Sequence, residues 1–323
     1  MGKKINAPRK GSLQYWPRKR AKRQHARVRT WKLSEGLLGF AGFKAGMTHV
    51  LVTDNRKNSI TKGQDISVPV TMVECPPLDI IGVRFYRKSQ TRYGEEAATE
   101  VRMSAPKHLS RTTVWNATGS LDEINPEEYV RATLIVSTQP KETGIGQKKP
   151  QIFELGYGKT VSDVISFAKE NKLLSVESAL KAGEFYDVHS VTTGRGTQGV
   201  IKRFGAGIRS HKSEKSNRKA VLGPEGYGKV SFRSLQGGKM GYHLRTEYNK
   251  QIVGIVPADQ VQISGGLVNY GQVKNTVLLV KGSIGGTKKR LITFSAPQRK
   301  SAKVSTEPMA ITYISTRSQQ GGQ

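Results

Sequence analysis

Residues 194–250 carry thirteen Lys/Arg against Glu214, Glu225 and Glu247, with eleven glycines and only sixteen residues of the AVILMFWYC set. A stretch of this composition holds too little apolar surface to close a core of its own, and no helical or strand period persists in it. Structureless runs beyond about 15 residues are uncommon inside a compact domain, so the segment reads as a functional extension ordered by something outside the chain. The folded body must therefore be built from the sequence on either side of it.

The imbalance of charge is general. The 323 residues hold 53 Lys+Arg and 24 Asp+Glu, a formal net charge of +29. Residues 1–34 contain twelve Lys/Arg and no acid, with Tyr15, Trp16 and Trp31 interleaved, and form a basic arm. Such an excess repels itself unless a polyanion balances it. Lys and Arg neutralise phosphates and release condensed counterions, which makes nucleic acid the expected partner. Residues 121–190 reverse the balance, eight Lys/Arg against eleven Asp/Glu, and are the part least suited to touching phosphate.

The runs 47–53, 66–75, 80–86, 185–191, 252–256, 277–280 and 291–294 are short, β-branched and separated by Gly, Pro, Asn or Asp, as a barrel requires. Within the acidic region, 133–137 and 151–155 read as strands. Thr160 with Asp163 makes a capping box, and Val161, Val164, Ile165 and Ala168 follow at helical spacing, which predicts an amphipathic helix ending near Leu173. An earlier helix is expected from Asn125-Pro126-Glu127-Glu128. The fold class is mainly β with an α/β insertion. Its expected parts are an arm over 1–34, a barrel body over 35–90 and 180–300, and an inserted α/β unit over 91–179. The basic extension spans 194–250 and a C-terminal segment 301–323. One cysteine, Cys75, excludes a disulfide framework and suits a reducing, cytoplasmic compartment, and no apolar run approaches the roughly 18 residues of a spanning helix.

Catalytic and cofactor chemistry finds little support. Gly194-Arg195-Gly196-Thr197-Gln198-Gly199 matches G-x-G-x-x-G, but Gly205 and Gly207 fall where the phosphate-binding helix should run, so a flexible turn explains the glycines better. Gly282-Ser283-Ile284-Gly285-Gly286-Thr287-Lys288 lacks the Walker spacing and reads as a hairpin. The six histidines show no metal-ligand spacing, and Cys75 has no nearby histidine. No catalytic residue, metal or cofactor is expected. Phe204, Tyr227, Phe232, Tyr242 and Tyr248 either stack on bases or anchor small clusters. The arginines are the better RNA ligands, because a guanidinium bridges phosphate oxygens and stacks on bases.

Several motifs in series resemble one family. Gly36-Leu37-Leu38-Gly39-Phe40 with Phe43-Lys44-Ala45-Gly46-Met47-Thr48 is similar to the barrel-opening segment of the universal large-subunit ribosomal protein three family. Gly199-Val200-Ile201-Lys202-Arg203-Phe204-Gly205, Ser210-His211-Lys212, Gly238-Lys239-Met240-Gly241-Tyr242-His243 and Arg245-Thr246-Glu247-Tyr248-Asn249-Lys250 resemble its central loop in order and spacing. The arm Pro8-Arg9-Lys10-Gly11-Ser12-Leu13 resembles archaeal and eukaryotic members, and of these the chain is more similar to the archaeal form, since no long Lys-rich tail is expected after Gln323.

The resemblance implies a translation-factor-type β-barrel with extensions threaded into 23S rRNA, an assembly role, and a central loop reaching toward the peptidyl transferase centre. It also implies neighbours such as universal protein fourteen and the archaeal/eukaryotic twenty-four-e protein. RNA contact is then expected from Arg9, Lys10, Trp16, Arg18, Lys19, Arg20, Lys22, Arg23, Arg27 and Arg29 in the arm, and from Lys44 on the barrel. In the loop it is expected from Arg195, Lys202, Arg203, Arg209, His211, Lys212, Lys215, Arg218, Lys219, Lys229, Arg233, Lys239, Tyr242, His243, Arg245, Asn249 and Lys250. The loop tip is Pro224-Glu225-Gly226-Tyr227, with Glu225 where many relatives carry tryptophan. Two other classes fit the composition alone: an RNA-modifying enzyme with an unrecognised site, and a free RNA chaperone or DNA-compacting protein.

Overall fold

A fifteen-residue run, GFAGFKAGMTHVLVT, forms the longest strand, because its small and β-branched residues can lie between neighbours on both edges. The computed structural model describes residues 9–32, 35–91, 93–158, 160–208, 228–300 and 305–317. Among them the strands are β1 (Gly39–Thr53), β2 (Asp65–Glu74), β3 (Leu78–Lys88), β4 (Glu95–Arg102), β5 (Arg131–Thr138), β6 (Ile152–Gly156), β7 (Leu173–Leu174), β8 (Phe185–Val191), β9 (Thr197–Gln198), β10 (Gly238–Lys239), β11 (Leu244–Val256), β12 (Val277–Lys281), β13 (Leu291–Ser295) and β14 (Ile311–Ile314). The helices are α1 (Val161–Glu170) and α2 (Val200–Phe204). The chain is mainly β, with antiparallel pairing throughout its named ladders. It divides into two compact units, Met1–Lys22 with Val191–Leu244 and Arg23–Ser190 with Arg245–Gln323.

The larger unit holds two sheets. One has the order β13-β8-β11-β12-β2-β1-β14, and a further pairing of β13 with β1 returns the path on itself. Strand β1 achieves this by its length: residues 39–43 lie opposite 291–295, while its C-terminal part pairs with β2 on one edge and β14 on the other. The closure needs glycine at its start. A Cβ on Gly39 would sit 2.2 Å from the Phe294 carbonyl oxygen, so any side chain there pushes the two strands apart. Phe40, Phe43 and Phe294 fill the interior with no exposure, and truncating such a ring costs about 3–5 kcal/mol. The second sheet, β4-β3-β5-β6 with β7 on β3, shares one continuous core with the first and carries α1 against β3 and β5.

Buried charge is matched by donors. Glu74 has no exposure, yet its carboxylate accepts from the Tyr270 hydroxyl, the Lys274 and Asn275 amides, and Asn275 Nδ2. Burial, with that carboxylate beside it, pushes the Tyr270 phenol far up, so it stays a donor. The neighbouring Cys75 thiol is also raised by burial and is inert as a nucleophile.

Several sequence expectations change. The run 80–86, counted with the barrel, lies in β3 of the second sheet, because β5 and β4 flank it on both edges. The helix expected at Asn125 is one 3-10 turn, Pro126–Glu128, after which the Val130 amide donates to the Tyr86 carbonyl and the chain enters β5. Helix α1 has its capping box but stops at Glu170, where Asn171 turns extended and bonds back to the Phe167 carbonyl; Leu173 then belongs to β7. The 282–288 segment is not a hairpin. Strands β12 and β13, which it joins, pair with other strands, β12 with β11 and β2, β13 with β8 and β1.

Candidate nucleic-acid interface

The smaller unit gathers the arm as far as Lys22 and the basic extension as far as Leu244, and the order of its described residues comes from backbone pairing and rings in place of an aliphatic core. The short ladder β9–β10 closes 197–198 on 238–239. Arm and extension then dock through main-chain bonds. The Ala21 amide donates to the Tyr242 carbonyl at 2.8 Å, and His243 Nδ1 lies 2.9 Å from the Lys19 carbonyl. A carbonyl only accepts, so Nδ1 carries the proton. His243 itself is buried, its amide donating to Thr192 Oγ1 and its carbonyl accepting the Thr192 amide.

Arginine and aromatic side chains interleave in this unit. The Arg18 guanidinium lies 4.8 Å from the Phe204 ring centroid and 5.9 Å from that of Trp16, and Arg203 reaches Phe204 at 5.0 Å. Arg20 covers Tyr242 at 4.9 Å, and Trp16 meets Phe232 edge to face at 6.4 Å. Each guanidinium–ring contact is worth about 0.5–1 kcal/mol at exposed sites. Gly11 makes the arrangement fit: its φ is +79°, and a Cβ there would fall 2.6 Å from the Phe204 ring. The guanidiniums also donate to carbonyls, Arg9 to Arg233, Arg18 to Ser12 and Arg203 to Gln236. Of the extension's aromatics, Phe204 and Tyr242 lie beneath arginines of this unit.

The cations expected to meet RNA therefore divide. Lys10, Lys19, Arg20, Lys22, Arg195, Lys202, Lys229, Arg233 and Lys239 are exposed in the smaller unit. In the larger unit Arg23, Arg27 and Arg29 are exposed, with Arg27 3.3 Å from Glu154. Lys44 is half-buried and donates to the carbonyls of Ile284 and Gly286, fastening the 282–290 loop to β1. Burial pulls its ammonium below the ordinary lysine range, Glu247 opposes that shift and Lys288 adds to it. Lys250 likewise donates to the Ser283 carbonyl and pairs with Glu247, which accepts from the Gly285 amide. Asn249 donates to the Arg299 carbonyl, and Arg245 is partly buried. Arg299, which the sequence pattern did not single out, covers Tyr248 at 4.7 Å; only the charge run around it in 299–303 could have drawn attention to it. Arg209, His211, Lys212, Lys215, Arg218, Lys219 and the tip Pro224, Glu225, Gly226 and Tyr227 lie outside the described residues.

What the smaller unit presents is one sign of charge. Its described residues include twelve Lys/Arg and no Asp or Glu. A surface of that kind, with rings between the cations, suits a folded RNA backbone with unstacked bases.

A family model described as Ribosomal protein L3 matches residues 1–117 and 111–321. A "Large ribosomal subunit protein uL3" from Methanothermobacter thermautotrophicus is 40% identical over 97% of this chain and 98% of its own length. Proteins of the same name from Methanosphaera stadtmanae and Methanococcus aeolicus are 39% and 37% identical, over 97% and 99% of this chain and 98% and 100% of theirs. The match runs through both halves of the larger unit and through the basic extension between them, and on that evidence the chain belongs to the ribosomal protein L3 family, whose members are structural proteins and not enzymes.

Proposed function

We propose that this chain is a structural constituent of the large subunit of the cytoplasmic ribosome, binding 23S rRNA through the arm and the basic extension. The observation that carries this reading is the smaller unit's twelve cations without an acid among its described residues. Converging phosphate backbones repel one another, and a polypeptide of this charge laid between them lowers that repulsion. The ring of strands serves as a translation-factor-type barrel on the subunit surface. The extension 194–250 reaches toward the peptidyl transferase centre, where it shapes RNA that itself performs the chemistry, and the protein helps nucleate assembly. Universal protein fourteen and the archaeal/eukaryotic twenty-four-e protein are its proposed neighbours.

The test is sedimentation of cell lysate at low and then high salt, following this chain beside the rRNA. Stoichiometric residence in the large subunit that survives the high-salt wash is the expected result. Release to the top of the gradient would leave only peripheral electrostatics and reopen the chaperone reading.

A further inference from the structure

The smaller unit, whose described residues include no acid, also exposes apolar side chains side by side. Leu13, Tyr15 and Trp16 are exposed on the arm and Val230 and Phe232 on the extension. The edge-to-face contact of Trp16 with Phe232, at 6.4 Å, joins the two runs into one patch. Single exposed apolar residues need no explanation, but a patch does, because apolar surface left in water costs free energy and marks a binding site when it persists. Phe232 is its most open ring, 70% exposed. Phe204 of the same unit is by contrast partly buried, with Arg18 and Arg203 over its ring and Gly11 against it.

Local hydrogen bonds hold both runs in shape. On the arm, Leu13–Tyr15 is a 3-10 turn capped by Ser12, whose Oγ accepts the Gln14 amide at 3.1 Å. On the extension, the Ser231 carbonyl accepts the Ser234 amide at 3.0 Å and Ser231 Oγ accepts the Arg233 amide at 3.3 Å, which closes a turn around Phe232. Arg9 Nη2 donates to the Arg233 carbonyl at 3.0 Å and ties arm to extension next to the ring. The Arg233 guanidinium lies 5.6 Å from the Phe232 ring centroid. Arg9, Lys229 and Arg233, in the same stretches of chain, are all exposed.

We propose that Phe232 is a stacking platform for one unpaired base of the RNA, with Trp16 and the 231–234 turn fixing the ring and Arg9, Lys229 and Arg233 meeting the phosphates that flank that base. The chemistry of the patch selects the occupant. An open ring among cations, with no acid beside it, matches a ligand that alternates flat rings with anions, which is single-stranded nucleic acid. Paired RNA keeps its base faces inside its own stack, so only a splayed-out base reaches Phe232. Every base offers such a face, so the contact reads the unpaired state and not the base's identity. The proposal rests on the RNA-binding reading above and adds to it a base contact, at a residue whose role the sequence left open between stacking and anchoring.

The full chain, as wild type and with Phe232→Ala, Phe232→Leu or Phe232→Trp, is bound to a 23S rRNA transcript over a range of salt, and 2′-hydroxyl acylation reads the mobility of each nucleotide. Phe232 is exposed, so these changes should leave the melting temperature within error of wild type. One unpaired nucleotide immobilised by the wild-type chain should regain its reactivity with Phe232→Ala and Phe232→Leu, which remove the ring face, and affinity should fall roughly tenfold. Phe232→Trp should keep both, and no variant should alter the salt dependence, because no charge changes. Wild-type affinity and unchanged reactivities with Phe232→Ala overturn the platform and leave the RNA-binding reading standing. Full retention by Phe232→Leu overturns stacking in favour of plain apolar packing. A wild-type chain that binds no RNA overturns both readings. In assembled large subunits, a photoreactive benzoylphenylalanine replacing Phe232 should cross-link to rRNA; a cross-link to a neighbouring protein alone overturns the proposal in favour of a protein occupant.

Discussion

Asp54 shows how one buried residue holds a turn in this chain. It follows β1 and has no exposure, and its carboxylate accepts from Arg56 Nε and Nη2 at 2.8 Å each, from Ser59 at 2.6 Å and from Thr61 at 2.7 Å. Its backbone amide donates to the Gln64 carbonyl, so the whole 54–64 loop between β1 and β2 is organised around one side chain. Hydrogen bonds from Arg56, then Ser59 and Thr61, hold the carboxyl well below the usual carboxylate range. In the unfolded chain it would titrate near the ordinary value of about 3.9. The native state therefore binds fewer protons than the unfolded state, and the stabilisation is full above the unfolded pKa and lost as pH falls below it. Asp54→Asn should accordingly lower the melting temperature most at pH 7, with the difference from wild type shrinking as pH drops from about 5 to 3. Melting curves across that range check this; a constant difference would mean that shape, and not ionisation, gives Asp54 its effect.

Elements were legible in the sequence wherever local chemistry alone decides them. Thr160 and Asp163 announce the start of α1, and both halves of the capping box form, each at 3.3 Å. Removing the cap with Thr160→Ala should cost about 1 kcal/mol and lower the melting temperature by roughly 2–4 °C, measured by calorimetry on the full chain. A smaller loss would assign the helix to the packing of Val161, Val164, Ile165 and Ala168 alone. Strand β4 was hidden because its sequence, EEAATEVR, has neither apolar alternation nor aromatic content. It is stabilised from outside: Arg131 meets Glu95 at 2.9 Å, Arg87 meets Glu96 at 3.1 Å, and Arg84 reaches Glu100. An edge strand with charged side chains also resists pairing with other chains, which is a reason for such a strand to look unlike one. The 282–290 loop misled in the other direction. Its glycines suggest a tight turn, but tertiary anchors from Lys44, Lys250 and Glu247 set its path, and no local pattern records them.

Across the whole molecule the sequence separates two kinds of order, and the compact units follow that separation. Residues with apolar alternation or a capping box build the larger unit, whose core encloses even a carboxylate with complete hydrogen bonding. Residues 9–22, 191–208 and 228–244 instead use ring–guanidinium contacts and main-chain docking, which hold a shape without much buried apolar surface. The arm was legible as basic, but its division at Lys22 was not, because composition is the same on either side and it is tertiary contacts from residues 9–21 to the extension, such as the bonds from 19–21 to 242–243, that distinguish them. If RNA binding resides in the smaller unit, its salt dependence must reside there too. Lys10, Lys202 and Lys239 are exposed, so reversing all three to Glu should reduce the slope of log K against log salt for large-subunit RNA by about 2–3, near 0.7–0.9 per lost phosphate contact. The same reversal at Lys141, Lys172 and Lys181, exposed on the larger unit, should leave the slope within about one contact of wild type. Equal loss from both sets would show that the net charge of +29 acts as one diffuse field, and that the absence of acids among the smaller unit's described residues does not direct where RNA binds.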